Sequence, residues 1–243
     1  MRIDQELVKR GLCESRQEAQ ECIEQGFVFL DGGKVTKKTR QVDETSNITI
    51  TQTRKFVSRG GDKLEAALIH VYPSISSNTF KDKIALDVGS STGGFTDCLL
   101  SHGVSHVTAI DVGTSQLHDS LRNDKRVLVF EKTDIRDYIS EAKFDVIVAD
   151  VSFIALDKII DAIVSFGHKH SEYFLLIKPQ FEVGFGNTKK GIVKDAQLVE
   201  KVLTKYETTL RGKGCTSVTL FPCSIKGGDG NQEYFVYAKA SSS

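Results

Sequence analysis

The chain has 243 residues, long enough to bury roughly 70 to 75% of its unfolded surface, as one large domain or as a small and a medium one. Lys+Arg and Asp+Glu balance at 32 each, so overall charge selects neither a nucleic acid nor a membrane, and only local clustering is informative. No charged-then-apolar leader opens the sequence and no apolar run approaches bilayer length, which argues against secretion and membrane insertion and for a cytoplasmic protein.

Met1 to Arg10 carries Ile3, Leu7 and Val8 on one helical face, and Gly11 ends it. "ESRQEAQECIEQG" predicts a second short helix: Ser15 and Glu18 have capping-box spacing, Ala19, Cys22 and Ile23 form an apolar stripe, and Gly26 stands where a C-terminal glycine belongs. "FVFLDGGKVT" is β-rich around an Asp-Gly-Gly turn, a hairpin signal, and "NITI" supplies another strand near residue 50. The first fifty residues therefore predict two small helices on a small curled sheet. The polar stretch from Thr51 to Arg54 predicts a boundary. Around it, Lys34, Lys37, Lys38, Arg40, Arg54, Lys55, Arg59 and Lys63 outnumber Asp43, Glu44 and Asp62.

Beyond the boundary, Lys63 to Val71 is helical, with Leu64, Ala67, Leu68 and Val71 inward. The pattern then alternates strand and helix, with strands at Ile84 to Val88, His106 to Ile110, Val127 to Phe130, Phe144 to Ala149, Phe174 to Ile177, Ser217 to Leu220 and Tyr234 to Ala238. Their apolar density predicts a parallel sheet covered on both faces; "KGGDGNQ", in place of a helix, makes the last two strands antiparallel to each other. The five cysteines are scattered and lack a C-x-x-C pair, and Gly103 ends the helix that would pair His102 with His106, so no disulfide framework and no metal site is expected.

The glycine turn in "DVGSSTGGFTDCLL" admits three ligands. A triphosphate-binding loop has Gly89 and Gly94 at the right spacing, but Phe95 occupies its lysine position. A dinucleotide fold needs a second glycine where Ser91 stands. S-adenosylmethionine (SAM) is cationic and offers ribose hydroxyls to a carboxylate. Asp87, Asp111, Asp134 and Asp150 all lie at or just past carboxyl ends of predicted strands, the rim where such sheets bind ligands, and their charge suits a cation.

The acceptor is read from the later strand ends. After the fourth strand of this sheet the sequence is "DVSF", which matches the Asp-Pro-Pro-Phe of nucleic-acid amine methylases only at Asp150 and Phe153. Lys178 ends the fifth strand in "LLIKPQF", an unusual place for a solvated charge, and Lys63, Asp150 and Glu233 could converge on the same crevice. An unperturbed lysine is almost wholly charged at neutral pH. Lys178 would act either as a neutral base or as a charged group that orients a hydroxyl oxygen and lets its proton leave late.

At these residues the sequence resembles a known family. Lys63, Asp150, Lys178 and Glu233 resemble the Lys-Asp-Lys-Glu tetrad of the FtsJ/RrmJ ribosomal RNA 2'-O-methyltransferases; "DVGSSTGGFTDCLL", "DVSFIAL", "LIKPQFEVG" and "KFVSRGGDKL" resemble the TlyA branch, in which some members carry tryptophan at the position of Phe56. "RIDQELVKRG" with "SRQEAQECIEQGFVFLDGGKVTK" resembles an RNA-binding domain first described in a small-subunit ribosomal protein. The resemblance implies a Rossmann-like α/β methyltransferase sheet of seven strands, the last antiparallel, behind a small α+β RNA-binding domain. It implies domains at 1–53 and 62–243 with a linker at 54–61. Asp87, Gly89, Ser90, Ser91, Thr92, Gly93, Gly94, Phe95, Asp111, Asp134 and Asp150 would bind SAM, and the tetrad would act on a cytidine 2'-hydroxyl in ribosomal RNA, by analogy with the family's shorter form the large-subunit RNA. Arg16, Lys34, Lys37, Lys38, Arg40 and Arg59 would face RNA. An amine methylase and a non-catalytic ribosome-assembly factor are the competing readings. Hydropathy gives no support to a pore-forming hemolysin, the activity after which the family was once named.

Overall fold

The computed structural model describes residues 1–13, 15–51, 55–184 and 186–241, so Arg54 and most of the expected boundary lie outside the described residues. The chain divides into two compact units, Met1–Lys55 and Phe56–Ser243.

In the first unit, helices α1 (Ile3–Lys9) and α2 (Arg16–Gln25) accompany a three-stranded sheet of order β2-β1-β3, with β1 at Val28–Leu30, β2 at Gly33–Lys34 and β3 at Ile48–Ile50. Ser15 caps α2 by accepting from the Glu18 backbone N–H at 3.1 Å, and Gly26 closes it with φ 77°. Asp31 and Gly32, at φ 50° and 80°, turn β1 into β2 with the handedness that a tight hairpin requires. Ile3, Leu7, Ala19, Ile23 and Val28 are almost fully buried together, so the two amphipathic helices and the sheet share one small core.

The second unit contains α3 (Arg59–Val71), β4 (Ile84–Val88), α4 (Gly94–Ser101), β5 (His106–Ile110), α5 (Asp119–Arg122), β6 (Val127–Phe130), β7 (Phe144–Ala149), α6 (Ile160–Ser165), β8 (Gly167–Ile177), α7 (Pro179–Glu182), α8 (Ala196–Gly212), β9 (Cys215–Pro222) and β10 (Tyr234–Ala240). The sheet order is β6-β5-β4-β7-β8-β10-β9; β4 to β8 pair in parallel, and β10 pairs antiparallel with both β8 and β9. Alternation along the strands makes two cores. Ala85, Val146, Val148, Phe174 and Leu176 meet α3 and α4, while Leu86, Ile147, Ala149, Leu175 and Ile177 meet α6 and α8.

Strands β9 and β10 run about two residues past their predicted bounds, and two other elements begin well before theirs. The fifth predicted strand begins at Gly167, well before Phe174, because its polar first half is held individually: Ser171 donates to the Phe144 carbonyl at 2.6 Å and Glu172 pairs with Lys239 at 3.2 Å. Helix α3 begins at Arg59, inside the predicted linker, although Gly60 and Gly61 are poor helix formers. Packing overrides propensity there: a Cβ on Gly94 would lie 2.6 Å from the Gly61 nitrogen, so bare backbone lets α3 lie against α4. The Phe56 ring, buried, covers Gly61. No helix of the described residues is long and apolar enough to cross a membrane.

Candidate active site

The glycine turn joins β4 to α4. Gly89 has φ 80°, and a Cβ there would lie 2.7 Å from the carbonyl oxygen of Asp150, so both its dihedral and its neighbour demand glycine. The Asp150 N–H donates to the Val88 carbonyl at 3.0 Å, which fixes the end of β7 beside the turn. A cavity of about 580 Å³ opens above these strand ends, lined by Gly89, Ser91, Asp111, Asp134 and Asp150 with Ile110, Ile135 and Ile159 among its apolar walls. Its size and mixed lining suit a nucleoside-sized ligand.

Each acidic strand tip has its own partners. Asp111 accepts from the Ser91 N–H at 2.8 Å and the Gly113 N–H at 2.6 Å, binding the glycine turn to β5. Asp134 is bracketed by Arg136 at 2.9 and 2.6 Å, and that guanidinium holds its carboxyl below the ordinary value. Asp150 is paired with Lys178. Asp87 lies beneath the cavity and does not line it; it is fully buried, accepts from Thr96 Oγ1 at 2.6 Å, and its Oδ1 has no partner among the described residues. The expected acidic ring is therefore partly neutralised, with Asp111 the lining carboxylate that has no ion pair among the described residues. Five further residues expected at the cofactor, Ser90, Thr92, Gly93, Gly94 and Phe95, are outside the cavity wall. The Ser90 N–H is committed to the Ile110 carbonyl at 3.1 Å, and Phe95 is a core residue stacked on Phe235 at 6.1 Å.

Burial pushes the Asp87 carboxyl up to about 7, against the pull of Thr96 and with the help of the Asp150 and Asp111 charges. Because the folded value exceeds the unfolded one, the folded state binds more protons between about pH 4 and 7, and stability falls as pH rises through that window. The shift corresponds to about 4 kcal/mol. Asp87→Asn is expected to raise the thermal midpoint at pH 8 relative to the parent, with the gain shrinking toward pH 5. Parallel midpoints across that range would show that Asp87 does not titrate there.

Two ion pairs join the predicted tetrad two by two. Lys63, on the first turns of α3, meets Glu233, just before β10, at 2.6 Å, and Lys178, at the end of β8, meets Asp150 at 2.6 Å. Both lysines are buried. Burial pushes the nearby Cys223 thiol up, against a backbone hydrogen bond from Ile225 and the charge of Lys63 and with the help of Glu233 and Asp150. Sequence reasoning passed over Ser152 and Phe181, and weighed Phe153 only as part of the amine-methylase match. Ser152 Oγ accepts from Lys178 Nζ at 2.8 Å. Phe153, 92% exposed at φ 66°, leans on Phe181 with ring centroids 5.4 Å apart, at the mouth of the cavity.

In the first unit, Lys34, Lys37 and Arg40 are exposed, and the partly exposed Lys38 is paired with Glu24 at 2.6 Å. Arg16 is anchored: its Nε meets the fully buried Asp4 at 2.9 Å, and Arg2 grips the same carboxylate through two bonds of 3.0 Å. Burial alone would raise the Asp4 carboxyl, but hydrogen bonds from Arg16, Gln20 and Arg2 outweigh it and hold it low. Arg2 was not among the expected residues; only the fold reveals the shared carboxylate. Arg59 belongs to α3 in the second unit and donates to the Lys226 carbonyl at 3.1 Å. Cys13, Glu18 and Cys22 bring three donor atoms within 4.8 Å of one another, one short of a closed tetrahedral zinc set.

Residues 56–240 match the family of FtsJ-like methyltransferases, and residues 1–48 match the S4 domain. The chain is 42% identical to hemolysin A of Brachyspira hyodysenteriae, over 98% of this chain and 99% of that one. It is 40% identical to the 16S/23S rRNA (cytidine-2'-O)-methyltransferase TlyA of Mycobacterium tuberculosis, over 98% of this chain and 89% of that one. A solved structure from Streptococcus thermophilus, described as a hemolysin, superimposes with a TM-score of 0.76 at 34% identity, covering 100% of this chain and 89% of that one. With its seven-stranded mixed sheet and these matches across both units, the chain belongs to the FtsJ-like methyltransferase family and carries an S4 domain at its N-terminal end.

Proposed function

We propose that the chain transfers the methyl group of SAM to a ribose 2'-hydroxyl, that of a cytidine in ribosomal RNA, with the large-subunit RNA as the first substrate to test, and that it acts in the cytoplasm where ribosomal subunits assemble. The observation that carries this reading is the Lys178–Asp150 pair at 2.6 Å, with Asp150 in the wall of a cavity suited to a cationic nucleoside. The cavity fits the methyl donor: Gly89 leaves the backbone bare at its floor, Asp111 is a carboxylate within it free of an ion pair among the described residues, and the partnerless Asp87 Oδ1 lies beneath. When bound, SAM supplies an electrophilic methyl group on a cationic sulfur. Asp111 would accept its ribose hydroxyls and Gly89 and Ser91 would lie along it.

Lys178 then orients the substrate oxygen through its Nζ, and Asp150 stands beside that group as its counter-ion. Lys63 and Glu233 flank the incoming ribose. The hydroxyl proton goes to Lys178 Nζ only where that group has first given up a proton and stands as the neutral amine; with Lys178 charged, the proton leaves late, to water. Phe153 offers an exposed ring at the cavity mouth for stacking a base out of its helix.

The deciding experiment is labelled SAM with unmethylated ribosomal subunits, digested to nucleosides. Label on the ribose of a cytidine is expected. Label on a base amine would replace this reading with the amine methylase, and no label on subunits or naked RNA would favour a binding factor.

RNA docking is assigned to Arg2, Arg16, Lys34, Lys37 and Arg40 of the S4 domain. Affinity of the full chain for ribosomal RNA is expected to fall as salt rises, and Lys37→Ala with Arg40→Ala to reduce the log–log slope by about 1.4 to 1.8. A filter-binding slope equal to the parent would remove both residues from the interface.

A further inference from the structure

Lys178 Nζ has two side-chain partners among the described residues, both from the loop that follows β7: it donates to Ser152 Oγ at 2.8 Å, and Asp150 Oδ1, 2.6 Å away, is its counter-ion without a hydrogen bond. An ammonium carries three N–H bonds in a tetrahedral arrangement. Held at Cε, the group can turn only about the Cε–Nζ bond, and an ion pair without a hydrogen bond leaves that rotation free, so the N–H bonds sweep a cone. One directional acceptor stops the rotation. With one N–H held by Ser152 and the ammonium seated against Asp150, the direction of the third N–H, or of the lone pair once a proton is lost, is fixed.

Ser152 is suited to this and to little else. Its residue is exposed and forms part of the cavity wall, so it contributes no core packing. The chain reverses immediately after it, with Phe153 in the left-handed region at φ 66°, a conformation that costs an aromatic residue about 1 to 2 kcal/mol. The turn keeps Ser152 beside the end of β8. Hydroxyl oxygens accept as well as donate, so Ser152 can hold Lys178 without adding a charge that would compete with Asp150 for it.

We propose that Ser152 is a positioning residue: it locks the rotation of the Lys178 ammonium so that the third substituent of Nζ points at the substrate oxygen, an inference that rests on the methyl-transfer reading above. The full chain is assayed with labelled SAM on unmethylated subunits as the parent, as Ser152→Ala and as Ser152→Thr, alongside calorimetric SAM binding.

The parent is expected to label ribose; label on a base amine or no label overturns the reaction class itself, whatever the variants do. With ribose labelled, Ser152→Ala is expected to lower kcat by about 10- to 100-fold, the worth of one hydrogen bond to a charged group. KM for subunits and the SAM Kd should stay within about two-fold of the parent, because the lost contact acts on the transition state alone. Ser152→Thr, which keeps the hydroxyl, should recover most of the rate. Parental turnover in Ser152→Ala overturns the positioning role and leaves the reaction class standing. A rate loss matched by a loss of SAM affinity, with no rescue by threonine, makes Ser152 a wall of the cavity and overturns it equally.

Discussion

Lys178→Ala is expected to reduce methyl transfer by about 1,000-fold or more while SAM affinity holds within about three-fold or tightens. The rate loss combines two contributions of Lys178, orientation of the hydroxyl oxygen and a place for its proton. The affinity follows from charge. Removing the ammonium strips Asp150 of its counter-ion in the cavity wall, and a bare carboxylate there attracts a cationic donor. Breaking a buried pair also lowers stability, by about 3 to 5 kcal/mol in a dry interior, and less here because the Asp150 side chain is 21% exposed. Lys178→Met, which keeps the apolar stem, separates that effect from the chemistry. Single-turnover label transfer with calorimetric SAM binding checks both halves. Unchanged turnover in either variant would remove Lys178 from the mechanism, and a matching loss of SAM binding would recast it as a cofactor residue.

Asp111→Ala should give the complementary result: SAM affinity weaker by about 100-fold or more, from two charge-assisted hydrogen bonds of about 1.5 to 3 kcal/mol each. Its carboxylate has a second task, since it accepts from the Ser91 and Gly113 N–H groups and so holds the glycine turn against β5. Asp111→Asn keeps one acceptor oxygen and should fall between. Turnover at saturating SAM should recover far more in these variants than in Lys178→Ala. A calorimetric Kd equal to the parent would refute the assignment of Asp111 to the cofactor ribose.

Much of this architecture is legible before any coordinates. Strands β4, β5 and β7 follow from apolar runs bounded by turns, because strands buried on both faces carry their signal in composition alone, and the edge strand β6 follows from the same kind of run although Leu128 is exposed. The Ser15 cap and the Gly26 stop are local chemistry and read directly. What escapes is what depends on distant partners. The polar half of β8 is a strand because Glu172 and Ser171 find Lys239 and Phe144 across the sheet, which no window of sequence contains. The start of α3 is set by the bare backbone of Gly94, far along the chain. At the site, aspartates at strand ends were visible as candidates, but their pairing with Arg136 and Lys178, and the burial of Asp87, set their charge state only in the fold. Ser152 and Arg2 were invisible for the same reason: a serine after a strand reads as a turn former, and an arginine near the N-terminus as a solvated charge.

The one inverted strand has an architectural consequence. Asp150 and Lys178 stand where β7 and β8 exit the sheet, whereas Glu233 stands where β10 enters it, and only the inversion makes an entrance and two exits share one edge. Had β10 run with its neighbours, its seven residues would carry Glu233 to the opposite edge, roughly 23 Å from Lys63. The β9–β10 hairpin thus acts as a folded-back arm that delivers the fourth member of the tetrad. Shortening its connection is the change to which the placement of that member should be most sensitive.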